Sequence, residues 1–463
     1  MPCVCPLSRA AFAGLLLAVA ATVPASEGTL DPRFGDGGRS TLSIAGVSGP
    51  TRLLVRPDGR LVFAARRPDQ GDVVVGALGP DGQVDVGFHG GIPLAVPTGG
   101  ALYAPQLAAY PTGQAFLLTV AEYSGGVYRP IVCQVRDDGS FDPGFTSGQY
   151  PGQSGCLRLD VPATTPNGVV LAGIAPAEAY GILRFAGTGY DFASSTHTTF
   201  PITGLLLTGT AENPSSAITR ENSAYANVAI NAFGLFSLDS GGVALYFAGS
   251  HLQGGDTNIY VGRRFYGAGS SYNETSYAPN LVAAGVDSAQ ALALDELGRV
   301  VVASSVDAGG GVATCLVQRY TPTLAPDTGF GPLNNGRRYV SFGAAAGDAA
   351  RCDAVAAYGS VSSARILLGG ALRPNGSARS DMVVARLLGD GSFDADFGNT
   401  GYARFNSTPA GVSPGLSEQV LALGLQADRA ILAGPSEPAG GTGGASAMFL
   451  RLTGDALFAD GFD

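Results

Sequence analysis

The stretch Asp390–Gly398, Asp-Gly-Ser-Phe-Asp-Ala-Asp-Phe-Gly, decides how this chain is read, because it recurs. Copies stand at Leu30–Gly38, Asp81–Gly91, Asp138–Gly148 and Ala325–Gly331, and the chain closes on a further one at Gly454–Asp463. Asp-Gly suits a tight turn, since Gly accepts positive φ. The Asp that follows (Asp31, Asp85, Asp142, Asp327, Asp394) can accept backbone N–H groups as an Asx-turn. The Phe that ends each copy (Phe34, Phe88, Phe145, Phe330, Phe397, Phe462) is expected to wedge between neighbouring units. Apolar runs that carry an Arg precede three of the copies, at Cys315–Tyr320, Met382–Leu387 and Met448–Leu452.

A second signature alternates with the first: a polar turn followed by four to six apolar residues. It occurs seven times, as at Pro57–Ala65, Pro111–Leu118, Pro166–Gly173, Ser240–Gly249, Glu296–Ser304, Ala364–Gly370 and Asp428–Gly434, with starts spaced 54 to 74 residues apart. The runs are short, rich in Val, Ile, Leu and Phe, and bounded by turn residues, which are strand signals. Many are continuously apolar, as strands buried on both faces must be. A small sheet cannot bury both faces alone, but a ring of such sheets can, each one sandwiched by its neighbours. The spacing therefore predicts an all-β chain forming a single seven-bladed β-propeller. Because both ends of the chain fall inside the recurring string, they are expected to meet where one blade hands over to the next, leaving no exposed sheet edge.

The spacing of Asp-Gly, Leu or Phe, Asp, two residues and Phe-Gly, recurring at about sixty residues, resembles the delta-60 repeat family, a bacterial β-propeller-like repeat. The resemblance is strong at Leu30–Gly91, Asp138–Phe145 and Val317–Gly398 and fades over Cys156–Tyr277. It implies fold and export rather than a particular activity.

Met1–Ala25 reads as a secretory signal peptide, with Arg9 ahead of the apolar run Ala10–Ala21 and small residues at Val23 and Ala25. Residues 26–463 form the expected propeller, exported to the periplasm or beyond, with no membrane span and monomeric. Cys133, Cys156, Cys315 and Cys352 remain after the signal. In an oxidising compartment four cysteines suggest two disulfides with three connectivities. Cys133–Cys156 and Cys315–Cys352 are favoured, since the repeat places each pair near a junction between units.

Composition excludes much of the remaining chemistry. The 463 residues include 69 Gly and 29 Pro, no Trp, three His, and no Lys among 27 basic residues. A P-loop and a pyridoxal Schiff base both need Lys. Three scattered His argue against a His-rich metal site. A net charge of −10 disfavours nucleic acid. No cofactor is expected. The string Asp residues are the only candidates for Ca²⁺, and turn capping is the preferred reading. Gly411–Gly415 matches a nucleophile elbow around Ser413 but lacks the strand-to-helix context that gives the motif its mechanics.

The remaining lead is the divergent stretch. A polar insertion is expected at Gly187–Asn231, and a loop at Arg263–Asn280 holding Tyr266, Tyr272 and Tyr277 among small polar residues. That composition suits adaptable recognition. The reading is thus a non-enzymatic binding scaffold for a protein or cell-surface glycan. The alternatives are a polymer-acting hydrolase with paired carboxylates at the central channel, and a structural envelope protein.

Overall fold

A computed structural model describes residues 27–454 except 48, 97, 111–112, 146–154, 178–181, 195–197, 209–214, 222–224, 239–240, 268–273, 278–284, 308–311, 361–362, 407–415 and 439–444. Met1–Ala25, read above as a signal peptide, and Tyr272, Ser413 and Phe462 lie outside the described residues.

Turn residues and apolar runs set the elements. In chain order these are β1 (Arg39–Leu42); β2 (Pro50–Val55), β3 (Leu61–Arg67), β4 (Asp72–Leu78) and β5 (Leu94–Ala95); β6 (Ala101–Ala109), β7 (Ala115–Ser124), β8 (Val127–Arg136) and β9 (Cys156–Arg158); β10 (Val169–Pro176), β11 (Ile182–Tyr190), β12 (Thr199–Leu207) and β13 (Ser215–Arg220). There follow β14 (Ala226–Ser237), β15 (Val243–Gln253), β16 (Asp256–Tyr266) and β17 (Glu274–Tyr277); β18 (Val286–Leu294), β19 (Val300–Asp307), β20 (Ala313–Tyr320) and β21 (Arg337–Val340); β22 (Ala349–Tyr358), β23 (Arg365–Arg373), β24 (Asp381–Leu388) and β25 (Tyr402–Phe405); and β26 (Leu416–Glu418), β27 (Ala422–Gln426), β28 (Arg429–Pro438) and β29 (Ser446–Arg451). The one helical element among the described residues is a 3₁₀ turn at His89–Gly91.

These strands build a β-propeller fold of antiparallel sheets. Hydrogen bonding divides them into six sheets rather than the seven units of the sequence spacing. The difference has one cause. The sets β14–β17 and β18–β21 are each antiparallel and are joined into an eight-stranded sheet by a single parallel pair, Thr257↔Val286. The short β17 covers only the Val261–Arg264 stretch of β16, so the rest of that edge is left for β18 to meet. The first strand of the chain pairs with the last, Arg39↔Leu450 to Leu42↔Ala447.

The buried runs behave as continuous apolarity requires. Leu61–Ala65 is buried at every residue, and its alternate side chains enter different clusters, one shared with β28 and β29 and the other with β7 and β8. Each sheet thus packs on both faces, which is why the runs do not alternate with polar residues.

Three expectations for the divergent stretch are corrected. Pro166–Gly173 lies on the first strand of its sheet, β10, whereas the other copies of the second signature lead into second strands. The equivalent second strand is β11, so the pattern fell one strand early. Gly187–Asn231 is not an insertion: it holds β12 and β13, whose short runs are broken by Pro201 and Gly204. Arg263–Asn280 is not one loop either, for Arg263–Tyr266 ends β16 and Glu274–Tyr277 is β17.

Both favoured disulfides are present, but only one joins two sheets. Cys133 and Cys156 are register partners on β8 and β9, with Cα atoms 4.1 Å apart. Cys315 on β20 and Cys352 on β22 link neighbouring sheets, with Cα atoms 5.0 Å apart.

Candidate functional site

The recurring string sits between the third and fourth strands of its set and makes one geometry at five places. The carboxylate of Asp31, Asp85, Asp142, Asp327 and Asp394 accepts the backbone N–H two residues on. The carbonyl of the same Asp accepts the N–H of the Phe three residues on, at 3.0–3.1 Å. Arg136, at the end of β8, reaches Asp142 through Nη2 at 2.8 Å, and in three other copies the Arg of the preceding strand completes the arrangement through Nε. Arg319 Nε reaches Asp327 at 2.8 Å, Arg386 Nε reaches Asp394 at 2.9 Å and Arg451 Nε lies 3.1 Å from Asp31. Each guanidinium also covers the string Phe, 4.7–4.9 Å from the centroids of Phe330, Phe397 and Phe34. Burial would raise the Asp31 carboxyl, but the Arg33 N–H and guanidinium and the Arg451 charge outweigh it and hold it below the usual range.

The strings also touch each other in sequence. N–H groups of Gly35, His89 and Gly331 donate to the carbonyls of Asp81, Asp138 and Asp390, at 2.7–2.8 Å. Gly398 N–H does the same to Glu27, just ahead of the first string. Phe34, Phe88, Phe145, Phe330 and Phe397 are all buried, each in a cluster drawn from two neighbouring sets. With their oxygens turned to N–H and guanidinium donors, these Asp residues form links between units. No group of three or more metal-ligating side chains occurs among the described residues.

Tyr266 is buried at the end of β16. Its hydroxyl lies 3.0 Å from Thr203 Oγ1, and the Arg184 guanidinium sits 3.9 Å over its ring. Thr203 and Arg264 both donate to Glu221. Burial, with the Glu221 charge, pushes the Tyr266 phenol up against the opposing Thr203 hydrogen bond and Arg charges. Tyr277 is the last residue of β17, opposite Val261. The structure therefore gives Tyr266 surroundings unlike those of a loop residue.

First strands from across the molecule converge on a common central channel. In six of them a bulge interrupts the register, between Pro50/Arg52, Tyr103/Gln106, Leu171/Gly173, Ile230/Ala232, Ala289/Ala291 and Cys352/Ala354. A bulge re-aims the side chain it carries. Here it brings polar Asn231, Gln290 and Asp353 to a channel that Arg52 and Gln106 also line. Gly370 makes room opposite one bulge: a Cβ there would lie 1.8 Å from the Arg351 carbonyl oxygen. Arg52 Nε donates to Gln106 at 2.6 Å, and desolvation pulls its guanidinium down to about 10. Asp353 is the single carboxylate among the described channel residues, paired with Arg351 at 3.0 Å. Burial raises its pKa against that pairing. One carboxylate does not supply the acid and base pair that glycoside hydrolysis commonly uses.

A cleft of about 550 Å³ adjoins this channel between β18–β20 and β22–β23. It opens at the end of the sheets where second and third strands turn and where each set crosses to the next. Four serines and two glutamines line it, with Arg351, Arg373 and Asp307. Ser305 Oγ is shielded from solvent and has no hydrogen-bond partner among the described residues. Gln290 lines both cleft and channel, and the Arg351–Asp353 pair bridges them. The sequence held no motif for this site, because its residues are spread over several strands from Val286 to Gln419.

Residues 365–397 match a family model described as a domain of unknown function (DUF5122) beta-propeller. The match runs from the start of β23 to the string residue Phe397. No curated protein matches the chain. Among solved structures, a protein of unknown function from Dyadobacter fermentans is 11% identical, with 90% of this chain and 98% of that one covered and a TM-score of 0.43. An endo-arabinase from Bacteroides thetaiotaomicron is 11% identical over 60% of this chain and 96% of its own, with a TM-score of 0.34. A Trypanosoma rangeli sialidase with bound sialic acid is 8% identical over 78% and 55%, with a TM-score of 0.39. These likenesses say nothing about activity.

Proposed function

We propose that this protein is an exported, monomeric seven-bladed β-propeller of the delta-60 repeat type, and that it binds a cell-surface glycan in the cleft between β18–β20 and β22–β23. The count of seven takes β14–β17 and β18–β21 as separate blades and β1 with β26–β29 as one, closed by the pairing of the chain's two ends. The lining of the cleft carries the reading. Hydroxyl, amide, guanidinium and carboxylate groups together offer donors and acceptors on every side, which suits a ligand covered in hydroxyls.

The test is calorimetric titration of soluble cell-surface oligosaccharides into the wild type and the variants Gln290→Ala and Arg373→Ala. Binding by the wild type, weakened at least tenfold in a variant of unchanged melting temperature, supports the reading. Equal binding by wild type and variants overturns the site. Release of new reducing ends would move the protein to the hydrolase reading.

A further inference from the structure

A strip of aromatic rings crosses the same end of the sheets, away from the cleft. Tyr103 on β6, Tyr123 on β7, Tyr128 on β8, Tyr190 on β11 and Phe192 just beyond it follow one another. Ring centroids are 6.0 Å apart for Tyr103–Tyr128, 4.6 Å for Tyr123–Tyr128, 5.0 Å for Tyr128–Tyr190 and 5.8 Å for Tyr190–Phe192. Tyr123 and Phe192 are exposed, at 37% and 53%, and the other three rings are half-buried.

The strip is held from below. Tyr123 and Tyr128 are register partners across the β7–β8 turn. Tyr128 N–H donates to the Asn167 carbonyl at 3.0 Å, and Tyr190 N–H donates to Gly168 at 2.9 Å. Only Gly fits at position 168, where a Cβ would lie 1.9 Å from the Tyr128 carbonyl oxygen. Asn167 Oδ1 accepts the Phe192 N–H at 2.8 Å and so fixes the outer end. At the inner end the Arg66 guanidinium lies 4.2 Å over Tyr103. Two sheets are thus locked together so that their tyrosines form one row of rings, with successive planes inclined by 36° to 79°.

We propose that this strip is a second binding platform, independent of the cleft, for an extended neutral polysaccharide. Each ring-to-ring step is close to the size of one sugar ring. A pyranose presents C–H groups on its faces and hydroxyls on its rim, and tyrosine offers an apolar face and a polar tip in the same way. Burial holds the Tyr190 phenol up at about 12 and, with Tyr103 and Tyr123 beside it, raises Tyr128, so both hydroxyls stay neutral donors. Single-stranded nucleic acid also stacks on aromatic rings, but it calls for a basic groove, and this chain carries a net charge of −10.

The experiment is native electrophoresis of the intact protein through gels containing hydroxyethylcellulose, xylan or mannan, with a polymer-free gel as reference. The wild type should be retarded in at least one polymer gel. The double variant Tyr123→Ala/Phe192→Ala should lose that retardation at least tenfold in apparent affinity, Tyr123→Phe should keep it, and the cleft variant Arg373→Ala should keep it too. Equal thermal melts show that the exposed substitutions leave the fold intact. With no Trp in the chain, tyrosine emission gives a second readout, which should shift on titration with the retarding polymer. No retardation in any polymer gel, or equal retardation of the double variant, overturns the proposal. Loss of retardation in Arg373→Ala alone would assign the binding to the cleft instead.

Discussion

The sets that carry the string and the two that lack it solve one problem with different chemistry. Between β18–β21, β22–β25 and the set closed by β1, the seam is an Arg on a third strand, an Asp and a Phe, repeated almost without change. In β10–β13 and β14–β17 the string is missing, and Tyr266, Thr203, Arg184, Arg264 and Glu221 form a network of side chains in its stead. The first solution is local, since Asp and Phe are three residues apart, so it is visible as a motif. The second draws on residues from β11 to β16, so it leaves no motif. The aromatic strip lies where the string-bearing β6–β9 meets the divergent β10–β13.

Phe330→Ala should disturb this comparison most. Phe330 is fully buried under Arg319, and its loss should cost about 3–5 kcal/mol, read as a fall in denaturation midpoint. Replacing Cys315 and Cys352 together by Ala should cost ~3 kcal/mol by freeing the unfolded chain, and removes the covalent link between two string-bearing sets. Asp394→Asn should cost about 2 kcal/mol, since Asp394 is buried and faces both Arg386 and Arg365. On the divergent side, Tyr266→Phe should cost only about 1 kcal/mol, because one hydroxyl in a wider network is lost. A Tyr266→Phe penalty as large as that of Phe330→Ala would erase the distinction between the two kinds of seam.

The smallest effect is expected in the channel. Burial raises the Asp353 pKa, so the folded state favours its protonated form. Its stability contribution is fully present below the unfolded value of 3.8 and is lost as pH rises through the folded value. Asp353→Asn should therefore raise the melting temperature at pH 7.5 and change it little at pH 3. A reversed pH trend would mean that the Arg351 pairing, not burial, governs this carboxyl.

Short-range patterns made the strands, the turns and the string geometry readable, because an Asx-turn and an apolar run are completed within a few residues. The disulfide pairs were also legible, although Cys133–Cys156 lies inside one sheet rather than between two. Over Cys156–Tyr277 the reading slipped by one strand, because Pro166–Gly173 carries the polar turn and apolar run but leads into the first strand β10. The polar insertion was an expectation built on that slip, and the tyrosine loop was one built on the composition of Arg263–Asn280.

By itself the sequence determined an all-β chain, its repeat, the residues of each string and the absence of whole classes of chemistry. These depend on local turn preferences, side-chain period and composition. Only the tertiary structure decided what meets across the ring. Gln290 and Arg351 line one cleft, Asp353 lies in the channel paired with Arg351, Tyr266 is buried, and Tyr128 meets Tyr190 beside Gly168. Such contacts join residues far apart in the chain, and no spacing in a sequence records which side chains packed sheets bring together.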